Sequence, residues 1–315
     1  MKKLILVSAI AALSSATVQA VTLYDAKGFS YQLKGDFQLQ LRKDPGSDQS
    51  LEVEFDDLEL QNRIEYVLDD NLRAFGQLDV GYKYAAENEQ DGSHLEEAYV
   101  GLDFGTVRVA VGKMDFASDE FGVEQAYENK QKEDRFDKQG TDGDDVIRVD
   151  AKLGKFDLVA SYEFEAEGDD QTSDNGKYFD LFVSTEVAGF EVGAAYQSSS
   201  ALEPPKSSSG DTWGLSAVFD AGVAKLGADY SSSNLKGNDA DQINLVAVMP
   251  IDSTTKVAVG LARIDEDTQD TVIEWYANVT YKLPAQKNVS FFAEIADTDE
   301  NNVSIGYLAG MRLQF

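Results

Sequence analysis

The segment of residues 29–42 reads FSYQLKGDFQLQLR and decides the fold class of this chain. Its odd positions hold apolar residues or glycine, namely Phe29, Tyr31, Leu33, Gly35, Phe37, Leu39 and Leu41. Its even positions are all polar, namely Ser30, Gln32, Lys34, Asp36, Gln38, Gln40 and Arg42. Successive side chains of a β-strand point to opposite faces, so this pattern predicts a strand with one apolar face and one polar face.

The same period of two returns along the whole chain. In residues 303–315 the odd positions are again apolar, and they end on the aromatic Phe315. Strands of similar character are expected to begin near Asp57, Asn71, Leu95, Val107, Val146, Phe156, Lys177, Phe190, Thr212, Lys225, Asp241, Thr255, Thr271 and Asn288. With the two above this gives sixteen strands. At roughly 9–11 residues each, they are long enough to cross a bilayer when tilted.

The connections between these strands are predicted to alternate in length. Short turns are expected over 68–71, 104–106 and 153–155, and longer polar loops over 165–176, 198–211 and 231–241. Short turns at one end and long loops at the other are typical of membrane barrels. We therefore predict an all-β fold, a 16-stranded antiparallel transmembrane β-barrel.

Two soluble folds compete with the barrel. A β-sandwich also alternates, but sixteen strands would need two sandwiches, and no Pro- or Ser-rich linker divides the chain. A solenoid or propeller would show a repeat of about 20–50 residues, and none is visible. Both are disfavoured.

Composition excludes several functional classes. The chain has 315 residues, 27 basic against 57 acidic residues, a single histidine and no cysteine. The formal net charge of −30 argues against nucleic-acid binding, which depends on clustered Lys and Arg. Without cysteine there is no disulfide scaffold, thiolate nucleophile or cysteine-ligated zinc. We expect no cofactor and no metal site.

The first twenty residues have the features of a secretory signal. Lys2 and Lys3 precede an apolar stretch from Leu4 to Leu13, and small residues follow up to Ala20. We therefore assign residues 1–20 to a signal peptide and residues 21–315 to the barrel. Export and a barrel together predict a multi-pass protein of the cell outer membrane.

The chain resembles the Gram-negative general diffusion porins. The similarity is carried by short segments in the family's order: VTLYDAKG (21–28), YQLKG (31–35), NRIEY (62–66), AFGQL (74–78), EAYVGL (97–102) and GMRLQF (310–315). This resemblance implies a homotrimer in outer-membrane lipid. It also implies that Phe315 belongs to the signal read by the outer-membrane assembly machinery.

The resemblance also implies that the third outer loop, here residues 115–142, folds into the barrel and narrows the pore. The family's Pro-Glu-Phe-Gly-Gly motif corresponds to Asp119–Val123, where Glu-Phe-Gly is kept and the flanking Pro and second Gly are lost. Length and barrel width favour the same conclusion, because a long structureless loop is rare unless it is functional. The acids expected at the constriction are Asp115, Asp119, Glu120 and Glu124.

Bases are expected on the pore wall opposite this loop. Strand alternation turns the following bases inward: Lys34, Arg42, Arg63, Arg73 and Arg148. The family places a pore-wall base where Lys113 stands, although alternation would turn Lys113 to the side of Val109 and Val111. Asp36 stands where a porin often has a base, which weakens the basic wall. A rim charge or an inner ion pair is the alternative role for each base.

Together these features predict a water-filled, cation-preferring channel for passive diffusion of ions and small hydrophilic solutes. The alternatives are a substrate-specific outer-membrane channel and a surface barrel for adhesion or phage binding. An outer-membrane hydrolase is less favoured, because its nucleophile would have to use His94 and no Gly-x-Ser-x-Gly motif is present. Acidic loops over 237–241 and 297–302 could bind Ca²⁺ but lack EF-hand spacing.

Overall fold

The computed structural model describes residues 20–46, 49–86, 92–128, 133–164, 176–200, 209–267, 269–300 and 304–315. The proposed signal peptide lies outside this range apart from Ala20. The loops predicted over 165–176 and 198–211 lie mostly outside it. Within these residues, no helix is long and apolar enough to cross a membrane.

The chain is almost entirely sheet. Its strands are β1 Val21–Ala26, β2 Phe29–Lys43, β3 Glu52–Asp69, β4 Leu72–Gly81, β5 His94–Asp103, β6 Val107–Asp115, β7 Asp142–Leu153, β8 Phe156–Glu163, β9 Lys177–Val187, β10 Phe190–Ser200, β11 Gly210–Asp220, β12 Lys225–Leu235, β13 Asn238–Pro250, β14 Thr255–Glu266, β15 Val272–Leu283, β16 Gln286–Thr298 and β17 Gly306–Gln314. Helices α1 Lys83–Ala86 and α2 Arg135–Gln139, and a 3₁₀ turn Ala117–Glu120, lie in the loops.

Neighbouring strands pair antiparallel, and β17 pairs with β2 to close the sheet. Strand β1 pairs with residues 29–33 of β2, on the edge that β17 occupies over residues 36–43. Thus β1 and β17 lie end to end at one position of the ring, and the barrel has sixteen strand positions. The predicted 16-stranded antiparallel barrel is confirmed.

The chain's last residue takes part in this closure. The backbone N–H of Gly35 donates to the carbonyl of Phe315 at 2.9 Å, and the N–H of Phe315 donates back at 3.1 Å. The Phe315 ring packs edge-on against Phe37, with ring centres 5.9 Å apart. Gly35 leaves room for this ring, since a Cβ there would lie 2.4 Å from its atoms.

The two faces of the sheet differ in polarity as the alternation predicts. Large apolar side chains such as Val100, Leu215 and Leu245 are at least half exposed. Their neighbours on the opposite face are polar and often buried, for example Gln38 and Gln197. In a closed barrel this arrangement gives an apolar outer surface and a polar inner wall.

One predicted loop was wrong. Strands β12 and β13 continue through most of residues 231–241 and are joined by a two-residue turn, Lys236–Gly237, with φ of 55° and 81°. The serines of this stretch read as a loop because they are small and polar. Ser231 and Ser233 are in fact buried residues of the inner wall, in contact with α2.

Candidate functional site

The connection between β6 and β7 is held against the polar inner wall. We call its described residues, 116–128 and 133–141, the β6–β7 segment. It starts with the fully buried Phe116 and Ala117, and α2 begins where the Asp134 carboxylate accepts hydrogen bonds from the N–H groups of Phe136 and Asp137. A side chain that accepts from the first free N–H groups in this way fixes the start of a helix.

Apolar contacts hold this segment at two places. Ala117, Phe121 and Phe136 form one buried cluster with Val159, Phe182 and Ala195 of the wall. Val123 forms a second cluster with wall residues from Val218 to Tyr276. Apolar side chains on an otherwise polar inner wall are stable there because the segment covers them, which removes their surface from water.

Hydrogen bonds to wall side chains fix the segment more closely. The N–H of Val123 donates to Asp229 at 2.9 Å, and Ser118 donates to Asp180. The Glu294 carboxylate accepts from the N–H groups of Tyr127 at 2.8 Å and Glu128 at 3.1 Å. Further bonds come from Asn278 to the Gln125 carbonyl, from Gln242 and Asn244 to the Glu133 carbonyl, and from Arg135 to Glu266. These contacts run along the wall from β9 to β16.

Of the four acids predicted at the constriction, Glu120 is in direct contact with a predicted wall base. Its carboxylate pairs with Arg148, which also pairs with Asp150 at 3.1 Å. The same guanidinium donates to the carbonyls of Asp115 and Phe116, both at 3.2 Å. Glu120 and Arg148 are therefore in direct contact and do not face each other across an opening.

A second acid–base contact lies where the segment reaches β2. Arg42 pairs with Glu128 at 2.8 Å and with Glu54 at 3.1 Å, and Gln40 also donates to Glu128 at 2.7 Å. Arg42 is thus an inner-wall base, as predicted, but its partner Glu128 was not among the predicted acids.

Two other predicted acids, Glu124 and Asp119, have raised pKa values. Burial raises the pKa of the Glu124 carboxyl to about 7. Hydrogen bonds from the Ala126 N–H and the Tyr276 hydroxyl act in the opposite direction and lower this pKa. Asp119 is exposed to solvent on one side, yet the surrounding protein limits its hydration. This desolvation, together with the neighbouring carboxylates of Asp115 and Glu120, raises the pKa of Asp119 well above its ordinary value.

The remaining predicted bases are spread over the barrel. Arg63 is on the inner wall, pairs with Glu65 at 3.0 Å and lies 5.0 Å from the ring centre of Phe75. Arg73 is exposed near the short turn that precedes β4, away from the β6–β7 segment.

Lys113 takes the side that strand alternation gives. It is paired in register with Ala98, two positions from the Val100–Val111 pair, and so belongs to the outer row. Its ammonium group pairs with Asp144 at 2.6 Å. We therefore leave Lys113 out of the pore wall, because the family position and the local register disagree and the register decides where a side chain points.

The prediction missed a set of carboxylates on the inner wall of β3 and β5. Asp56 and Asp57 together face Gln38, since Phe37 pairs with Leu58 and Leu39 with Phe55. Glu96 is the extra residue between the Leu95–Val80 and Glu97–Asp79 pairs. Both are β-bulges, where two residues on one strand oppose one on the next. The signal was visible as consecutive acids, DD and EE, within alternating strands.

Arg312 of β17 was also missed. It pairs with Asp57 at 2.9 Å and with the buried Asp36. No sequence pattern singled it out, since it follows the ordinary alternation of its strand.

Open space lies beside the segment on the β4–β7 side of the barrel. A cavity of about 220 Å³ is lined by Glu97, Tyr99 and Arg108 on the wall and by Asp115, Glu120 and Arg148 at the root of the segment. Water and ions can therefore meet both the segment and this wall. Among the residues that the structure describes, no group of three or more His, Asp or Glu has the arrangement of a metal site.

A family model for Gram-negative porins matches residues 6–303. The chain belongs to this porin family. Porin-like protein H of Photobacterium profundum is 26% identical over 361 aligned positions, covering 100% of both chains. This porin is therefore an outer-membrane β-barrel, and its family and fold indicate a channel rather than an enzyme.

Solved structures share the fold of this porin at low sequence identity. The anion-selective porin from Comamonas acidovorans superposes with a TM-score of 0.76 at 15% identity, covering 91% of this chain and 100% of that one. The trimer form of OmpT, an outer membrane protein of Vibrio cholerae, gives a TM-score of 0.74 at 14% identity, covering 92% and 100%. This porin therefore shares its fold with an anion-selective porin.

Proposed function

We propose that this porin forms a water-filled channel through which ions and small hydrophilic solutes diffuse passively, with a preference for cations. The observation that carries this proposal is the β6–β7 segment, whose contacts run along the inner wall from β9 to β16. A barrel of this width is too wide for side chains to fill, so it encloses a water channel. A segment bound across part of that channel forms its constriction.

The charge of the chain supports the cation preference. The acidic excess of 57 over 27 residues makes the mouths of the channel negative. Exposed charges are screened beyond about 8–10 Å at physiological salt, so charges at the constriction act most strongly on a passing ion. We assign Asp115, Asp119, Glu120 and Glu124 to the constriction, with Arg63 and Arg148 as the nearest bases.

The double variant Asp119→Asn/Glu120→Gln tests the contribution of the segment. We expect the zero-current potential in a potassium chloride gradient to move toward anions, because the variant removes two carboxylates from the segment while Arg148 keeps its positive charge. The matched control is Asp239→Asn/Asp241→Asn, two exposed aspartates at the start of β13, which should shift this potential much less. Equal shifts for the two double variants would contradict the assignment of the constriction.

Cation preference should also depend on pH through Glu124. With a pKa of about 7, its carboxyl is mostly neutral at pH 6 and mostly ionised at pH 8. We expect the permeability ratio of K⁺ to Cl⁻ to rise from pH 6 to pH 8, since ionisation adds a negative charge beside the channel. Glu124→Gln should reduce this rise. The measurement is the zero-current potential of both proteins at the two pH values, and an identical pH dependence would count against Glu124.

We further propose a homotrimer. The outer row of β3 and β4 includes small and polar residues where lipid would favour large apolar ones, namely Ala74, Gly76 and Asn62. Asn62 accepts a hydrogen bond of 2.7 Å from the Tyr31 hydroxyl. Such a surface favours close contact between protein walls over contact with lipid. Analytical ultracentrifugation in detergent should show a trimer that Gly76→Leu weakens. Only monomer for the unchanged protein would refute the proposal.

A further inference from the structure

We propose that the cation preference is set mainly by the wall of β3 and β5 and less by the acids of the β6–β7 segment. The residues concerned are the bulge carboxylates Asp56, Asp57, Glu96 and Glu97. This inference rests on the proposed channel function and names the groups that make the channel selective for cations. It reverses the charge arrangement expected from the sequence, in which the segment is acidic and the wall opposite is basic.

The two bulges determine where these carboxylates point. In a regular strand, consecutive acids face opposite sides of the sheet, so one of each pair would face outward. At the first bulge, Gln38 donates to Asp56 while Arg312 pairs with Asp57 at 2.9 Å, and both partners belong to the inner row. Both aspartates are therefore on the inner wall.

The second bulge has the same effect on Glu96 and Glu97. Glu97 pairs in register with Asp79 and lines the cavity. Gly81 lies in the same row as Asp79, and a Cβ on it would meet the carboxylate oxygen of Glu96 at 2.4 Å. The Glu96 carboxylate therefore lies on the inner side as well. Each bulge thus adds one negative charge that regular alternation would have turned toward the outer surface.

The bases near this wall each have carboxylate partners of their own: His94 contacts Glu96, Arg63 pairs with Glu65, and Arg108 pairs with Asp103. Arg312 serves both Asp36 and Asp57, and Arg42 serves Asp44, Glu54 and Glu128. A guanidinium carries one positive charge, so each of these groups keeps a net negative charge when its carboxylates are ionised. Lys83 approaches Asp56 only to 3.9 Å.

Unpartnered oxygen atoms give independent evidence for an excess of negative potential. Gln38 is 1% exposed, and because its amide nitrogen donates to Asp56, its carbonyl oxygen Oε1 is left without a donor in the part of the chain that the structure describes. Asp79 is 4% exposed, and its Oδ1 likewise has no donor there. Buried acceptors without donors are costly unless positive charge or water compensates them. Cations that pass through the channel beside this wall supply such positive charge.

Three of the segment acids are already bound by other groups of the protein. Glu120 is paired with Arg148, Glu128 with Arg42, and Asp134 caps α2. The segment also covers the wall from β9 to β16, which leaves the cavity on the β4–β7 side as the open space. An ion that moves through this space passes the Glu97 carboxylate on the wall as well as Asp115 and Glu120 at the root of the segment.

The experiment compares two double variants, Asp56→Asn/Asp57→Asn and Glu96→Gln/Glu97→Gln, with the unchanged protein in planar bilayers at pH 8. The matched control is Asp69→Asn/Asp70→Asn, which removes two negative charges, as each wall variant does. Asp69 and Asp70 are consecutive exposed aspartates at the end of β3. Combining the two wall variants should lower the permeability ratio of K⁺ to Cl⁻ by roughly threefold or more. The control pair should change it little, and Asp119→Asn/Glu120→Gln should change it less than the wall variants do.

A further variant keeps these carboxylates, so the proposal can be tested even if the double variants fail to fold. Gln61 lies on the same inner row and donates to Asp79 at 3.0 Å, so Gln61→Lys adds a positive charge to this wall without removing a carboxylate. It should also lower the permeability ratio. Unchanged selectivity in Gln61→Lys and in the wall variants that fold would overturn the inference, as would a larger effect of Asp119→Asn/Glu120→Gln. An unchanged protein that forms no channel, or prefers anions, refutes the proposed function itself, and the inference with it.

Discussion

Replacing Gly35 by Val is expected to remove most of the folded protein from the outer membrane. A Cβ at this position would lie 2.4 Å from two ring atoms of Phe315, and the backbones of both residues are hydrogen-bonded to each other. To make room, the ring would have to leave its contact with Phe37 at the place where β17 joins β2. Heat-modifiable protein in the outer-membrane fraction, measured by gel mobility before and after boiling, should fall about tenfold or more.

Two controls separate closure of the barrel from other effects. Gly76→Ala places its Cβ at an ordinary 3.4 Å from Ile64 and should be tolerated. Deletion of Phe315 should also lower outer-membrane levels sharply, because it removes both backbone hydrogen bonds and the proposed assembly signal. In detergent refolding, where no assembly machinery acts, Phe315→Ala should partly rescue Gly35→Val. Normal amounts of heat-modifiable protein for both Gly35→Val and the Phe315 deletion would show that this contact does not control closure.

Glu294→Ala is expected to give the largest change in conductance. This carboxylate accepts hydrogen bonds from Tyr127, Glu128 and Asn278, so it fixes residues 127 and 128 of the β6–β7 segment to β16. Hydrogen bonds to a charged group stabilise by about 1.5–3 kcal/mol each, and their loss should release this part of the segment. Single-channel conductance should rise roughly 1.5- to 2-fold with more frequent fluctuations, since the barrel without its constriction is a wide water channel.

The matched control for Glu294→Ala is Ser216→Ala. Ser216 is a buried residue of the same inner wall whose hydroxyl has no hydrogen-bond partner among the described residues. Glu294→Gln keeps one carbonyl acceptor and should give an intermediate conductance. If Glu294→Ala conducts like the unchanged protein and Ser216→Ala, the segment is held by its apolar clusters alone.

The fold could be predicted from the sequence because its main signal is local. Alternation within one strand, as in Phe29–Arg42, depends only on the geometry of that strand, and repetition of the pattern predicts the closed sheet. The exceptions have equally local causes. Serines of β12 read as a loop because small polar residues serve both turns and inner walls.

The site was harder to predict because its geometry depends on long-range contacts. Strand alternation predicts the face on which Arg148 lies, yet its contact with Glu120 depends on how the β6–β7 segment folds back, which no period in the sequence encodes. Asp56–Asp57 and Glu96–Glu97 were not recognised because alternation arguments assume an unbroken register, and a bulge changes that register by one residue.

The end-to-end position of β1 and β17 on one edge of β2 has a consequence for biogenesis. The pair that completes the ring joins Phe37 to Leu313, residues separated by nearly the whole chain. Contacts between residues so far apart in the sequence form late, because the conformational entropy of the intervening chain is lost before any bond between the two strands is gained. The ring therefore cannot close during synthesis, and the polypeptide has to reach its membrane with the backbone N–H and C=O groups along the edges of β2 and β17 still unpaired. During this transit it should depend on holdase chaperones and be most vulnerable to aggregation and proteolysis.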